Sequence, residues 1–296
     1  MKYNDNYRSG FVAIIGKPNV GKSTLLNRLV GEKLSIVTPK PQTTRHSIKG
    51  FYSDENRQIV FLDTPGFLIP RYELQRRMML AIEDAVISSD LIVYITDQLF
   101  PTDYDKQLCT ELQKYKKIPR IAVLNKADLM SDEKISDIKC RLMDIGFLTV
   151  TSISALNDDS FVDLLEVITG YLPLSPPLYP PEDLSDLPVR FFAQEIIREQ
   201  IFLHLRDEIP YSSTVTVERF NESDKKVEIY ANVWLERKTQ KIIFIGNKGK
   251  MIRLITESAE KELYKFLHKR VKVELWVKIK LNWRKKKNAV KEFGYF

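Results

Sequence analysis

Short apolar runs alternate with helical patterns along the first half of the chain. Five runs are short enough to be buried strands, at residues 11–16, 59–63, 91–97, 121–126 and 148–155. Helical segments are predicted between them, at residues 23–31, 73–88, 103–116 and 132–145. Strands that alternate with helices indicate an α/β domain with a mostly parallel sheet covered on both faces. Such sheets bind ligands beyond the carboxyl ends of their strands.

The last third of the chain has a different order of patterns. A helix is predicted over 190–208, strands over 213–220 and 226–236, a helix over 251–267, and a strand over 271–283. The second predicted helix carries an apolar face, and apolar and polar residues alternate along the last predicted strand. The predicted helix face consists of Ile252, Ile255, Ala259, Leu263 and Phe266. In the strand, Val271, Val273, Leu275, Val277, Ile279 and Leu281 are predicted to point inward, and Lys272, Trp276, Lys278 and Lys280 outward.

A proline-rich stretch separates these two parts. Residues 171–188 hold six of the fourteen prolines, which disfavour both helices and central strands. We interpret the stretch as a stiff connector. The predicted organisation is a first domain at 1–172, a linker at 173–188 and an α+β domain at 189–296.

Charge differs between the two parts. Residues 189–296 contain 24 basic and 14 acidic side chains, a net charge of +10, while residues 1–188 have a net charge of −3. The basic part is either a polyanion-binding domain or an ordinary solvated surface. The sequence shows no metal spacing of its two cysteines, no signal peptide and no membrane-length apolar run, so we expect a cytoplasmic protein.

The first glycine loop carries the chemistry of a nucleotide phosphate site. Residues 16–23, GKPNVGKS, follow a predicted strand and open a predicted helix, the context that a P-loop requires. Its backbone N–H groups can surround the β-phosphate, Lys22 can bridge the β- and γ-phosphates, and the Ser23 hydroxyl can bind Mg²⁺. The predicted nucleotide contacts here are Gly16, Lys17, Pro18, Asn19, Val20, Gly21, Lys22, Ser23 and Thr24.

Three further short motifs follow predicted strands and select a guanine nucleotide. In the DTPG motif, Asp63 can hold Mg²⁺ through water and the Gly66 N–H can reach the γ-phosphate. Asp128 of the NKAD motif can accept two hydrogen bonds from guanine, which adenine could not donate. Asn125 can reach guanine N7, and the Ala155 N–H can reach O6. Four motifs in this order predict a GTPase; their remaining predicted contacts are Thr64, Pro65, Lys126, Ser154 and Leu156.

These motifs resemble those of the Ras-like GTPases, and the stretch PQTTRH at 41–46 resembles the TrmE–Era–EngA class. The resemblance implies that Thr44 binds Mg²⁺ and senses the γ-phosphate, with Thr43 as the alternative. Phe67 stands where Ras-like enzymes place a water-orienting glutamine, so intrinsic hydrolysis should be slow. Asn19 matches a residue that helps to hold K⁺ in some relatives; alternatively it only caps the loop. The residues assigned to catalysis are Lys22, Thr44, Gly66 and Asn19.

The second glycine loop, at residues 246–249, is not a P-loop. Phe244 and Met251 stand where a P-loop needs glycine and a hydroxyl. The loop resembles the signature of a type II K-homology domain, which clamps single-stranded RNA. That family places a short helix at 241–246, where composition alone favours a strand, and we follow the family. The predicted RNA contacts are Ile245, Gly246, Asn247, Lys248, Gly249, Lys250, Ile252, Lys278 and Lys280.

The combination of both domains resembles the Era family of bacterial ribosome-assembly GTPases over nearly the whole chain. It implies a monomer that uses Mg²⁺ and hydrolyses GTP to GDP. It further implies binding near the 3′ end of small-subunit ribosomal RNA during 30S maturation, and peripheral inner-membrane association. The expected mechanism is a switch, in which GTP orders Thr44 and the segment after Gly66. One alternative stays open at this point, a non-catalytic RNA chaperone anchored by GTP; a tRNA-modification GTPase lacks support, because the sequence shows no second catalytic domain.

Overall fold

The structure is a computed structural model that describes residues 6–157 and 161–296. It divides into two compact units. The first contains the chain up to Ser35, Thr44–Pro70 and Met78–Asp186; the second contains Ile36–Thr43, Arg71–Arg77 and Leu187–Phe296. Within the described residues, none of the helices has the length and apolarity needed to cross a membrane.

A six-stranded sheet forms the centre of the first unit, in the order β2-β3-β1-β4-β5-β6. All neighbouring strands are parallel except the antiparallel β2 and β3. The strands are β1 (Arg8–Ile15), β2 (Ile48–Ser53), β3 (Arg57–Asp63), β4 (Leu91–Thr96), β5 (Arg120–Leu124) and β6 (Val150–Ser152). The helices are α1 (Lys22–Val30), α2 (Glu73–Ile87), α3 (Asp103–Leu112), α4 (Asp132–Asp144) and α5 (Phe161–Tyr171). The predicted α/β fold with a mostly parallel sheet is confirmed.

Two elements of the first unit were not predicted. β2 contains Lys49, Gly50 and Ser53, which hide its alternation, and it becomes a strand by pairing with β3 at the sheet edge. Helix α5 buries Leu164, Leu165 and Ile168. Both elements become stable by packing against the rest of the unit, which local composition does not reveal.

The proline-rich stretch packs against the first unit. The side-chain carbonyl of Gln58 accepts hydrogen bonds from the backbone N–H groups of Leu178 and Tyr179, at 2.7 and 2.9 Å. The Tyr179 ring stacks on Phe51 at 4.1 Å. As predicted, residues 173–186 form neither helix nor regular strand, but they are held along the sheet edge by these contacts.

In the second unit, the longer helices pack on one face of a three-stranded sheet. β7 (Thr214–Glu222) runs antiparallel to β8 (Lys226–Leu235), which is parallel to β9 (Arg270–Ile279). The helices are α6 (Val189–His204), α7 (Ile209–Ser212), α8 (Lys238–Ile245), α9 (Lys250–Leu267) and α10 (Lys287–Glu292). The predicted apolar face of α9 and the inward side of β9 contribute to the core. Leu281 is the exception, because the strand ends at Ile279 and leaves this side chain 62% exposed.

Residues 238–245 form a helix, so the family resemblance predicted this segment correctly and composition did not. Gln240 accepts hydrogen bonds from the N–H groups of Glu236 and Arg237, both at 3.1 Å, which closes the helix N-terminus. Phe244 is fully buried, while Ile242 and Ile243 are exposed. A helix satisfies this pattern because it buries one side chain in four, and a half-buried strand would bury alternate ones.

Candidate nucleotide site and glycine loop

Close backbone packing shapes the first glycine loop between β1 and α1. A Cβ atom on Gly16 would lie 2.2 Å from the carbonyl oxygen of Ile95, and one on Gly21 would lie 2.2 Å from Nδ2 of Asn125. Gly21 also has φ 102°, a left-handed conformation that favours glycine. Gly66 of the DTPG motif would place a Cβ 2.8 Å from Cα of Pro18. Side chains at Gly21 and Gly66 would therefore displace one motif from another, and a side chain at Gly16 would displace the loop from β4.

Lys22 lies buried beneath the loop. Its ammonium donates hydrogen bonds to the carbonyl oxygens of Gly16 and Lys17, at 3.2 and 2.8 Å. Burial lowers the pKa of Lys22 to about 8, although the Asp63 carboxylate acts in the opposite direction. The side chain is thus held at the centre of the loop, where an anionic phosphate would stabilise its charged form.

The three predicted Mg²⁺ ligands converge on one point. The Ser23 hydroxyl donates to Oδ2 of Asp63 at 2.7 Å and lies 2.9 Å from the hydroxyl of Thr44. Oδ1 of Asp63 is buried without a hydrogen bond of standard geometry to the described residues, and so is the neighbouring Ser35 hydroxyl. Burial raises the pKa of Asp63. Two hydroxyls and a carboxylate with a spare oxygen form a donor set that fits Mg²⁺.

The structure separates Thr44 from Thr43. Thr44 faces Ser23, whereas the Thr43 hydroxyl donates to the carbonyl oxygen of Lys40 at 2.7 Å and lies 2.6 Å from the Thr38 hydroxyl. The adjacent Gln42 has φ 61°, so the backbone turns sharply just before the two threonines. This geometry favours Thr44 as the switch threonine.

The guanine-recognition motifs are joined to the phosphate loop by Asn125. Its Nδ2 donates to the carbonyl oxygen of Val20 at 2.7 Å, and its Oδ1 accepts from the N–H of Ala155 at 2.9 Å. The neighbouring Lys126, with φ 60°, donates to the carbonyl oxygen of Asn19 at 3.0 Å. Asn125 therefore connects the phosphate loop to the segment around Ala155, a role that its motif alone did not indicate.

The remaining predicted nucleotide residues surround this frame. Asp128 is exposed at the rim, and its carboxylate accepts a hydrogen bond from Nδ2 of Asn157 at 3.3 Å. Ser154 is buried and Leu156 is 75% exposed, while Thr64 donates to the carbonyl oxygen of Ile14 at 2.7 Å. Pro65 and Thr24 lie beside Gly66 and Ser23 in the chain.

Phe67 lies next to the phosphate loop but faces the core. Its backbone N–H donates to the carbonyl oxygen of Gly16 at 3.0 Å, and its ring packs against the core of the first unit. An apolar ring in this position cannot orient water, and slow intrinsic hydrolysis stays a prediction.

The second glycine loop joins α8 to α9 through a tight turn. Gly246, Lys248 and Gly249 have φ values of 72°, 51° and 76°. A Cβ on Gly246 would lie 2.8 Å from Cβ of Met251, so glycine is required there for both space and conformation. Asn247, Lys248 and Lys250 are exposed around the turn, and Ile245 and Ile252 are half-buried beside it.

Lys278 and Lys280 do not lie with the glycine loop. Side chains alternate along β9, so Lys278 points to the face opposite α9, where its ammonium lies 5.3 Å from the Trp234 ring centroid. Lys280 is paired with Glu292 and lies 5.0 Å from the Phe293 ring centroid. The structure therefore places two of the predicted RNA contacts on a different surface.

Sequence reasoning missed two sets of residues around these sites. Asp97 and Asp105 contact lysines near the phosphate loop, and their partners are too distant in sequence for a motif to show. Ile242 and Ile243 expose apolar surface beside the second glycine loop, 71% and 54% respectively. Their position in a run of apolar residues was the available signal, but the segment was predicted as a short helix without an exposed apolar side.

Comparison with known proteins supports both sites. A family model described as "50S ribosome-binding GTPase" matches residues 11–126, and one described as "KH domain" matches residues 208–284. The GTPase Era of Caldicellulosiruptor saccharolyticus is 41% identical over 294 residues, covering 98% of both chains. The chain belongs to the GTPase Era family. Another member, from Neisseria meningitidis serogroup A, is 37% identical over 295 residues and is covered to 95% of its length.

Two solved Era structures extend the likeness to the fold. One is a crystal structure of Era with MgGDPNP and nucleotides 1506–1542 of 16S ribosomal RNA, with a TM-score of 0.92 and 34% identity; the match covers 98% of this chain and 99% of that one. The other is an Aquifex aeolicus Era variant bound to GDP and AlF₄⁻, with the same score and identity, covering 97% and 99%. The family and its GTPase activity agree with the motifs derived from sequence.

Proposed function

We propose that this Era-family GTPase uses GTP and Mg²⁺ to control binding of small-subunit ribosomal RNA near its 3′ end, and so assists 30S maturation. The observation that carries the proposal is the convergence of Ser23, Thr44 and Asp63 at one point in a chain that also holds an exposed glycine loop. Related Era proteins have been solved with the corresponding nucleotide and RNA.

The proposed nucleotide chemistry follows from the geometry. Lys22 and the loop N–H groups would hold the phosphates, and Asp128 would select guanine. Ser23 and Thr44 would hold Mg²⁺, with Asp63 acting through water; the ion neutralises phosphate charge when it is bound. Thr44 would bind Mg²⁺ only when the γ-phosphate is present, so the conformation of its segment would depend on whether GTP or GDP is bound.

The proposed RNA chemistry depends on the turn at 246–249. Its glycines let a nucleic acid backbone approach closely, and Lys248 and Lys250 would neutralise two phosphates. Ile245, Ile252 and the exposed Ile242 offer apolar surface for unstacked bases. We infer that the protein acts in the cytoplasm as a monomer, with peripheral membrane association as a further proposal that basic charge alone supports.

GTP hydrolysis by the purified protein tests the proposal. Turnover would be measured with and without an oligonucleotide matching the 3′ end of small-subunit ribosomal RNA, in potassium and in sodium buffer. We expect RNA to raise turnover in the unaltered protein, and a Gly246→Asp/Gly249→Asp variant to lose that response while it keeps basal activity. A matched control, Gly294→Asp, changes a glycine outside the loop that also has positive φ, 85°, with open space around it.

The outcomes separate the alternatives. RNA binding without any change in turnover would contradict control by the nucleotide and leave a tethered RNA-binding domain. Undetectable turnover in every condition would favour the non-catalytic anchor, although the family assignment argues against it. Faster turnover in potassium than in sodium would assign Asn19 to K⁺ binding, and equal turnover would restrict Asn19 to capping the loop.

A further inference from the structure

One carboxylate near the phosphate loop contacts two lysines at once. Asp97 directly follows strand β4, and its side chain is 7% exposed. Oδ1 lies 3.0 Å from Nζ of Lys17, and Oδ2 lies 3.1 Å from Nζ of Lys126. Lys17 is the second residue of the phosphate loop, and Lys126 belongs to the guanine-recognition motif. Asp97 therefore joins two motifs that are more than one hundred residues apart.

A second carboxylate fixes the same lysine from the other side. Oδ2 of Asp105 lies 3.2 Å from Nζ of Lys17 and accepts hydrogen bonds from the backbone N–H and the hydroxyl of Thr102, at 2.8 and 2.6 Å. Oδ1 accepts from the Tyr94 hydroxyl. Asp105 is fully buried at the start of α3, so these bonds hold its carboxylate in one place.

The phosphate loop is thereby held at two points. Lys17 connects the loop directly to Asp97. Lys126 connects the loop to Asp97 a second time, because its ammonium also donates to the carbonyl oxygen of Asn19 at 3.0 Å. Between Lys17 and Asn19 lies only Pro18, which packs against Gly66. A shift of Asp97 would therefore move the loop and the base-recognition lysine together.

Charge explains why the position requires an acid. Lys17 and Lys126 would repel each other next to a loop that already holds Lys22, and the two carboxylates neutralise that repulsion. Burial opposes ionisation of Asp97, but the hydrogen bonds from both lysines hold the pKa of its carboxyl below the usual value. With its ammonium engaged in this way, Lys126 can present its apolar stem to a base.

We propose that Asp97 is a positioning residue for guanine-nucleotide binding, because it holds the ammonium groups of Lys17 and Lys126 in fixed positions. Asp105 is the second, immobile partner of Lys17. The inference deepens the proposed function and rests on it. Asp97 acts through the lysines and so has no direct part in attack on the γ-phosphate. The expected signature of its loss is weaker retention of nucleotide with little change in the chemical step.

The test is the dissociation rate of fluorescently labelled GDP from Asp97→Asn. We expect dissociation to accelerate about tenfold, as for loss of a buried hydrogen bond to a charged group. KM for GTP should rise while kcat stays within about twofold. The matched control is Asp137→Asn, which removes an ion pair with Arg141 at 3.0 Å on the exposed side of α4 and should change neither quantity.

Two further variants separate positioning from general stability. In a Lys126→Met background, Asp97→Asn should accelerate GDP dissociation by less than about threefold, since one of its two routes is already lost. Asp97→Glu keeps the charge and protects the fold, but one added methylene prevents both contacts, so it should also accelerate dissociation. Thermal unfolding of each nucleotide-free variant gives the size of any structural effect.

Each outcome decides the question. An unchanged dissociation rate in Asp97→Asn and Asp97→Glu, whether or not the melting temperature falls, would overturn the inference and leave a purely structural acid. If Asp97→Asn still accelerated GDP dissociation tenfold in the Lys126→Met background, Asp97 would not act through Lys126. If the unaltered protein bound no guanine nucleotide at all, the proposed function would fail, and this result is distinct from both.

Discussion

At the scale of single residues, burial of Lys22 predicts how nucleotide binding depends on pH. Its pKa in the free protein is lowered to about 8, and phosphate binding requires the charged form. GDP affinity should therefore be constant below pH 8 and fall above it, by up to about tenfold per pH unit. Equilibrium titrations between pH 6.5 and 9.5 would measure the profile.

The matched variant for that profile is Lys22→Arg. A guanidinium stays charged over the whole range, so this variant should bind GDP more weakly at pH 7 yet lose the decline above pH 8. A decline in GDP affinity that persists in Lys22→Arg would assign the titration to another group.

The same ammonium group changes the stability of the nucleotide-free protein. The pKa of Lys22 in the folded protein is below the unfolded value of 10.5. The free energy of unfolding should therefore rise as pH rises from about 8 to 10.5.

A second prediction at this scale separates the two adjacent threonines. Thr44→Ala should reduce Mg²⁺-dependent GTP hydrolysis by at least about tenfold, because its hydroxyl lies beside that of Ser23, which donates to Asp63. Thr43→Ala should leave hydrolysis within about twofold, since the Thr43 hydroxyl is bonded within its own loop. Steady-state hydrolysis over a range of Mg²⁺ concentrations measures both. Equal losses in the two variants would contradict the assignment.

At the scale of elements, the two tryptophans near the C-terminus have different environments. Trp283 is fully buried, donates to the carbonyl oxygen of Ser212 at 2.8 Å and packs against Phe293. Trp276 lies on the open face of β9 and is 62% exposed. Trp283→Ala should destabilise the protein by about 3–5 kcal/mol, and Trp276→Ala by less than about 1 kcal/mol. Urea unfolding of the two variants provides the comparison, and similar midpoints would refute this reading of the fold.

Elements were predictable from sequence where local pattern and tertiary burial agree. The parallel strands are almost wholly apolar, so their existence was evident, and the apolar face of α9 was assigned correctly. Edge strand β2 was missed because polar residues and a glycine interrupt its alternation, and α10 was missed because it is only six residues long. Segment 238–245 shows the opposite case, since a resemblance to a family corrected what composition suggested.

The same distinction between local pattern and tertiary contacts holds for the residues of the candidate sites. Residues within a motif, such as Ser23 and Asp63, were predicted because the phosphate chemistry fixes their spacing. Asp97 and Asp105 were not predicted, since their roles arise from contacts between separate strands and helices. Lys278 was assigned to RNA from charge alone, and the register of β9 places it on the face opposite α9. Spacing in sequence therefore identifies the chemistry, while the fold decides which side chains share a surface.

At the scale of the whole molecule, the uneven charge predicts different salt responses for the two proposed activities. RNA affinity should fall steeply as NaCl is added at fixed potassium, because phosphate contacts release counterions, whereas basal GTP hydrolysis should change little. A Lys248→Ala/Lys250→Ala variant should lower the slope of log affinity against log salt by about 0.7 for each lysine. Lys278→Ala serves as the comparison, and we expect it to leave the slope unchanged because Lys278 lies on the face opposite α9. Fluorescence anisotropy with a labelled 3′-end oligonucleotide gives these slopes, and equal reductions in both variants would mean that the RNA also crosses the open face of the sheet.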